Sequence, residues 1–216
     1  KEITDDLKIP YPQLKDRIGI DLNDTLAEAG RKVWLYYFAE MLSHEEGTIL
    51  GENVEELHDM RVASRRMRTA FDIFSPVFDP KVMKYQLKQL RKVGRVLGQV
   101  RDMDVILGNA VSYQSKQKEA FGLGMEPLLT EWNGTINHQR SKLIRHLQSE
   151  EYHNFKYNFN LFLQPLEPSG HQIVQYEGKS SLVRDAVPVL VYGRYAAVRA
   201  YESIVQTAAI YQLHAL

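Results

Sequence analysis

The sequence predicts an all-α fold. Long stretches repeat their apolar residues with the 3.6-residue period of a helix, few alternate with the period of two expected of a half-buried strand, and the interruptions are marked by Pro and Gly. Residues 24–42 open the helical pattern, with Leu26, Ala29, Val33, Tyr36, Tyr37 and Met41 in period. Residues 54–74 and 82–107 repeat it, and 128–147 and 152–163 continue it. Ser75-Pro76 ends one helix, and Asp79-Pro80 starts the next, because Pro is tolerated in a first turn. The short connection implies a hairpin in which 57–74 and 81–107 run antiparallel and side by side. Further breaks fall at the Gly-rich "FGLGMEP", 121–127, and at "QPLEPSGHQ", 164–172, the best candidate boundary.

A chain of 216 residues with 44% hydrophobic and 25% charged residues has enough apolar surface for a large core, which excludes wholesale disorder. It has no cysteine, so disulfides, thiolate zinc sites and thiol catalysis are excluded together. No apolar run approaches the ~18 residues that would span a bilayer, and the opening "KEITDDLKIPYPQ" lacks the apolar stretch of a signal peptide. A cytoplasmic location with no membrane partner is expected.

Zero formal net charge hides a strong local bias. Between Arg61 and Arg101 eleven Lys and Arg face only Asp72 and Asp79, a local charge of +9 against −9 for the remainder. At 100° per residue, His58, Arg61, Arg65, Arg68 and Asp72 share one narrow arc of 57–74, opposite Met60, Ala63, Met67, Ala70, Phe71 and Phe74. On the following helix Lys84, Lys88, Arg91 and Arg95 form one stripe, and Met83, Leu87, Leu90, Gly94 and Leu97 the other. Like charges at i,i+4 destabilise a helix by about 0.2–0.5 kcal/mol per pair. A linear polyanion relieves that repulsion, with Arg forks binding phosphate oxygens bidentately and Lys supplying point charges. His58, when protonated, adds a donor that a polyanion favours. The bland alternative is a pair of solvated faces. Arg140, Lys142, Arg145 and Arg194 read as surface residues that could only rim such a groove, and Asp102 and Asp104 as partners of neighbouring basic side chains rather than metal ligands.

An internal repeat appears at an offset of 156, where Leu26 meets Leu182, Val33 meets Val189, Tyr36 meets Tyr192, and Leu57-His58 meets Leu213-His214. The chain stops at "LHAL", just where an equivalent of Arg61 would follow, so the second half is expected to continue past Leu216.

"VEELHDMRVASRRMRTAFDIF" (54–74) follows a His-x-x-Arg-Val-x-x-Arg-Arg-x-Arg pattern, and "LKQLRKVGRVLGQVRDMDVIL" (87–107) ends in Leu-Gly-x-x-Arg-Asp-x-Asp-Val. In these motifs the chain resembles the CHAD family, the conserved histidine α-helical domains, with weaker agreement in "HQRSKLIRHLQSEEY" (138–152). The resemblance implies a four-helix bundle followed by the first part of a second, pseudo-twofold-related helical bundle. The expected organisation is an N-terminal extension at 1–20, a first half-domain at 21–165, a linker at 166–178 and the incomplete start of the second half at 179–216. It also implies a non-catalytic module that binds inorganic polyphosphate in a basic groove, through His58, Arg61, Arg65, Arg68, Lys84, Lys88, Arg91, Arg95 and, in the second half, His214. Arg66 matches the motif but points away from the stripe.

Rival functions are nucleic-acid binding through the phosphate backbone, an accessory role beside a fused or partner domain that handles polyphosphate or triphosphate, and a scaffold for partner helices. Catalysis by the chain itself is not expected. His58-Asp59 resembles a phosphohydrolase pair, yet neighbours on a helix point about 100° apart and cannot share one metal. No His-x-x-x-His spacing, P-loop or G-x-S-x-G elbow occurs, so no cofactor or metal is expected. Against nucleic acid, the basic helices carry little interleaved aromatic surface on which bases could stack.

Overall fold

A computed structural model describes residues 10–117, 124–164, 182–205 and 207–209. Each long helix begins where the sequence supplies a cap. Thr25 Oγ1 accepts from the Glu28 amide at 3.1 Å and opens α1, Leu26–Ser43. The short α2, Glu45–Leu50, follows at once and ends on Gly51, whose φ of 72° is the left-handed conformation that glycine adopts without steric cost. Asn53 caps α3, Val54–Phe74, with Glu55 and Glu56 in its first turn, where the helix dipole favours acids. A 3-10 turn at Ser75–Val77 carries the chain into α4, Pro80–Gln114. Asp79 Oδ1 accepts from the Lys81 amide at 2.7 Å, and Pro80 takes the first helical position. Helices α5, Glu126–Leu147, α6, Glu150–Phe162, α7, Val183–Arg199, and α8, Glu202–Val205, follow among the described residues.

The all-α expectation holds. Among the described residues there is no strand, only an isolated antiparallel bridge between Thr25 and Leu182. It ties the start of α7 to the start of α1, with the Val183 amide donating to the Asp24 carbonyl at 2.9 Å. Helix α4 outruns its expected end at 107 by seven residues, since Gly108 costs only about 1 kcal/mol inside a helix already formed and no Pro follows before Gln114. Helix α5 starts at Glu126, inside the expected break at 121–127, because Pro127 suits a first turn. The expected linker at 166–178 lies outside the described residues. Residues 10 and 11 of the expected extension touch the bundle, through Pro10, whose carbonyl accepts from Asn160 Nδ2, and the Tyr11 ring against Phe38.

Helix α3 packs between α1 and α4, and α4 packs in turn on α5. Contacts along the hairpin run in opposite senses: Glu55 meets Arg101, Arg61 meets Gly98 and Asp102, and Arg68 meets Gly94, so α3 and α4 are antiparallel. The core combines Trp34 and Phe38 of α1, Met60, Met67 and Phe71 of α3, Leu90 and Leu97 of α4, Leu143 of α5 and Phe155 and Phe159 of α6. Each such side chain contributes about 1.5–3 kcal/mol when fully buried. Trp34 also satisfies its own polar atom, with Nε1 donating to the Met67 carbonyl at 3.2 Å. Where α1 crosses α3, a Cβ on Gly30 would lie 2.8 Å from Phe74 Cγ, so the approach needs glycine.

Candidate functional site

The α3 face is as the helical period requires, with Met60, Ala63, Met67, Ala70, Phe71 and Phe74 buried. On α4 the buried face is rotated from the expected one: Met83, Gln86, Leu90, Val93, Leu97 and Val100 are buried, while Leu87 and Gly94 lie at its margin. The reason is visible at the seam. A Cβ on Gly94 would sit 3.5 Å from Arg68 Cζ, and one on Gly98 would sit 3.7 Å from Arg61 Nε. Two α3 arginines thus lie across a glycine-lined strip of α4, and the apolar contact begins only beyond that strip.

This packing puts the α3 arc beside the α4 stripe. Arg65, Lys84, Lys88, Arg91 and Arg95 are exposed, while His58, Arg61 and Arg68 are half-buried. Arg61 approaches Asp102 at 3.9 Å, a long pair whose acid is 70% exposed and which is worth little in water. Among the described residues, Arg65, Arg68, Lys84, Lys88, Arg91 and Arg95 make no ion pair. His58 Nδ1 and Arg68 Nε are shielded from solvent without a hydrogen-bond partner there. An unmet buried donor costs about 1–3 kcal/mol, so Arg68 Nε–H is poised for an acceptor. Arg66 occupies the other flank of α3, 3.7 Å from Glu40 and 5.4 Å above the Tyr37 ring, both on α1. His214 lies outside the described residues.

Lys92 lies at the edge of the α4 stripe, where helical period alone does not assign it to either face. Its Nζ hydrogen-bonds the Glu151 carboxylate on α6. That bond, chiefly, holds Glu151 below the usual carboxylate range, with His146 and Lys88 adding to the field. His146 is pushed below the ordinary imidazole value by burial and then by Lys92, with Glu151 opposing.

The acids of "RDMDV" are basic-residue partners, Asp102 for Arg61 and Asp104 for Arg140 at 3.2 Å. Arg140 is therefore no solvated surface residue. Its Nη1 also donates to the Gly51 carbonyl at 3.2 Å, pinning α5 to the end of α2. No group of three or more His, Asp and Glu that could hold a metal occurs among the described residues. A cavity of about 980 Å³ opens between the end of α3 and α7, but Leu26, Phe74, Val77, Leu190 and Val198 make its walls apolar and unsuited to an anion. No helix among the described residues is long and apolar enough to cross a membrane.

No curated protein matches the chain. The crystal structure of the CHAD domain from the plant Ricinus communis superposes with a TM-score of 0.57 at 23% sequence identity, covering 70% of this chain and 50% of that one. The chain spans about half the length of that solved domain, and likeness at this level of identity speaks to the fold alone. Residues 33–216 match the CHAD domain family, and with so much of the sequence covered, the chain belongs to that family.

Proposed function

We propose that the α3–α4 face is a non-catalytic binding site for inorganic polyphosphate. The observation that carries the reading is the set of cations without carboxylate partners, Arg65, Arg68, Lys84, Lys88, Arg91 and Arg95, held on two adjacent antiparallel helices. Other surface cations, such as Lys81, Lys142 and Arg145, also lack an ion pair among the described residues, but these six crowd two adjacent helices, where their mutual repulsion calls for an anion from outside. From Lys84 to Arg95 the α4 stripe runs for about 16 Å at 1.5 Å per residue, which suits several linked phosphates better than one. Polyphosphate is also the ligand that the sequence resemblance implies. Arginine forks supply bidentate contacts and lysines tolerate variable spacing, so the basic groove needs no register with its ligand.

Binding of this kind proceeds by release of condensed counterions and weakens steeply with salt. Titration with polyphosphates of graded length and with duplex DNA of matched phosphate number, at two salt concentrations, tests the reading. Affinity should rise with polyphosphate length until the ligand spans the two helices, and DNA should bind less tightly. A preference for DNA, or unchanged polyphosphate binding in the charge-reversed variant Arg65→Glu/Arg91→Glu, would overturn it.

A further inference from the structure

Lys92 differs from the stripe cations of α4, Lys84, Lys88, Arg91 and Arg95, in having a native anion. It lies one helical turn beyond Lys88 and faces α6, where Glu151 accepts its hydrogen bond. Glu151 belongs to the first turn of α6, a place where the helix dipole favours a carboxylate independently of Lys92. His146, in the last turn of α5, and Lys88 bear on the same carboxylate, so this acid is the focus of three basic groups on two other helices. The ion pair remains open to solvent, with 44% of the Lys92 side chain and 47% of the Glu151 side chain exposed, so an anion from solution can reach both.

Building on the polyphosphate reading, we infer that Glu151 is an internal counter-anion that withholds Lys92 from the ligand and so limits the width of the site to the α3 arc and the outer α4 stripe. A carboxylate and a phosphate oxygen compete for the same ammonium donors. While Glu151 is in place, a bound polyanion that extended toward α6 would meet its negative charge instead of a free lysine. The acid therefore sets the width of the site without touching the ligand's other contacts: it confines a bound chain to the α3 arc and the outer α4 stripe, and its removal adds Lys92 to the cations that chain can reach.

Polyphosphate titrations of the wild-type chain, Glu151→Gln, Lys92→Gln, the double variant and Glu150→Gln test this. Glu150→Gln changes the net charge by the same amount one residue away, where Glu150 forms no ion pair among the described residues. Glu151→Gln should bind about two- to fivefold more tightly at low salt, in keeping with the modest worth of an exposed ion pair. Its log–log salt dependence should steepen by about one counterion. Lys92→Gln should change wild-type binding by less than about twofold, and it should erase the gain when added to Glu151→Gln. Unchanged or weaker binding by Glu151→Gln, a gain that survives loss of Lys92, or an equal gain from Glu150→Gln would overturn the inference and leave the polyphosphate site standing. Absence of binding by the wild-type chain would overturn both.

Discussion

Lys156 and Arg91 are both cations in a chain of zero net charge, and the fold houses them in opposite ways. Lys156 is buried at 8% exposure, its Nζ 2.6 Å from Glu45 Oε1, and Tyr152 donates to the other oxygen of that carboxylate at 2.9 Å. The second polar pin, Arg140 with Asp104 and the Gly51 carbonyl, is likewise enclosed. Arg65, Lys84, Lys88, Arg91 and Arg95 on α3 and α4 stand in solvent without an acid among the described residues. The contrast separates two uses of charge. Where cations lock α2, α5 and α6 together, each has a partner inside the protein; on the α3–α4 face the exposed cations have none among the described residues, and polyphosphate is the partner proposed for them.

Breaking a pin should give the largest effect. Glu45→Ala strands Lys156 and leaves the Tyr152 hydroxyl without its acceptor, and an uncompensated, mostly buried charge costs about 2–4 kcal/mol. Urea unfolding should register that loss, while polyphosphate binding by the folded protein stays unchanged. A comparable loss of ligand affinity would mean that the pin and the cationic face are one system, and the contrast would fail.

Gly51→Ala attacks the second pin from the backbone. The φ of 72° disfavours any L side chain, and a Cβ there would lie 2.6 Å from Arg140 Nη1. The arginine must move off the Gly51 carbonyl, and together these effects should cost about 1–3 kcal/mol in urea unfolding. A neutral outcome would show that Arg140 is held by Asp104 alone.

On the open face the expectation inverts. Arg65→Ala and Arg91→Ala should each change unfolding free energy by less than about 0.5 kcal/mol, as for surface positions without partners. Each should weaken polyphosphate binding by about three- to tenfold at low salt, with a shallower salt slope. Marked destabilisation by either would reveal a structural duty for those cations.

Sequence pattern made the α3–α4 pair legible and the pins illegible, for a physical reason. On α3 the apolar and basic residues are cleanly segregated, so a wheel recovers Met60, Met67 and Phe71 on one side and Arg61, Arg65 and Arg68 on the other. On α1 the run from Val33 to Phe38 is apolar all round and periodicity cannot choose a face. Tyr36 and Tyr37 look as good as Trp34 and Phe38, yet only the latter two are buried. The ion pairs Lys92–Glu151 and Arg140–Asp104 join residues 59 and 36 positions apart, and Lys156–Glu45 spans 111. No local spacing encodes such contacts, because they are created by the packing of helices whose own periods are satisfied without them. The six-residue α2 escaped for a related reason, being too short to show a period and defined instead by its end at Gly51.

The smallest effect lies between the two regions, at His146. Burial and Lys92 hold its imidazole below the ordinary value of 6.5, so the folded protein prefers it neutral. Below pH 6.5 the unfolded chain binds this proton more readily than the fold does, and stability contributed by the neutral ring, present above that pH, is lost as pH falls toward the folded-state value. His146→Gln should flatten that part of a stability-against-pH curve measured by urea unfolding. Glu151 works in the opposite direction, raising the His146 value, so Glu151→Gln leaves burial and Lys92 unopposed. The histidine-linked loss should then begin at the same pH and continue to lower pH than in the wild-type chain. Glu151's own contribution adds a separate loss in the wild type, since its depressed carboxyl stabilises the fold above its ordinary value of 4.5 and ceases to do so as pH falls through the folded one. The two curves should therefore diverge below pH 6.5 through His146 and change their separation again below 4.5, where only the wild type loses the Lys92–Glu151 pair. Curves that coincide throughout would show that the carboxylate acts on neither Lys92 nor the buried imidazole.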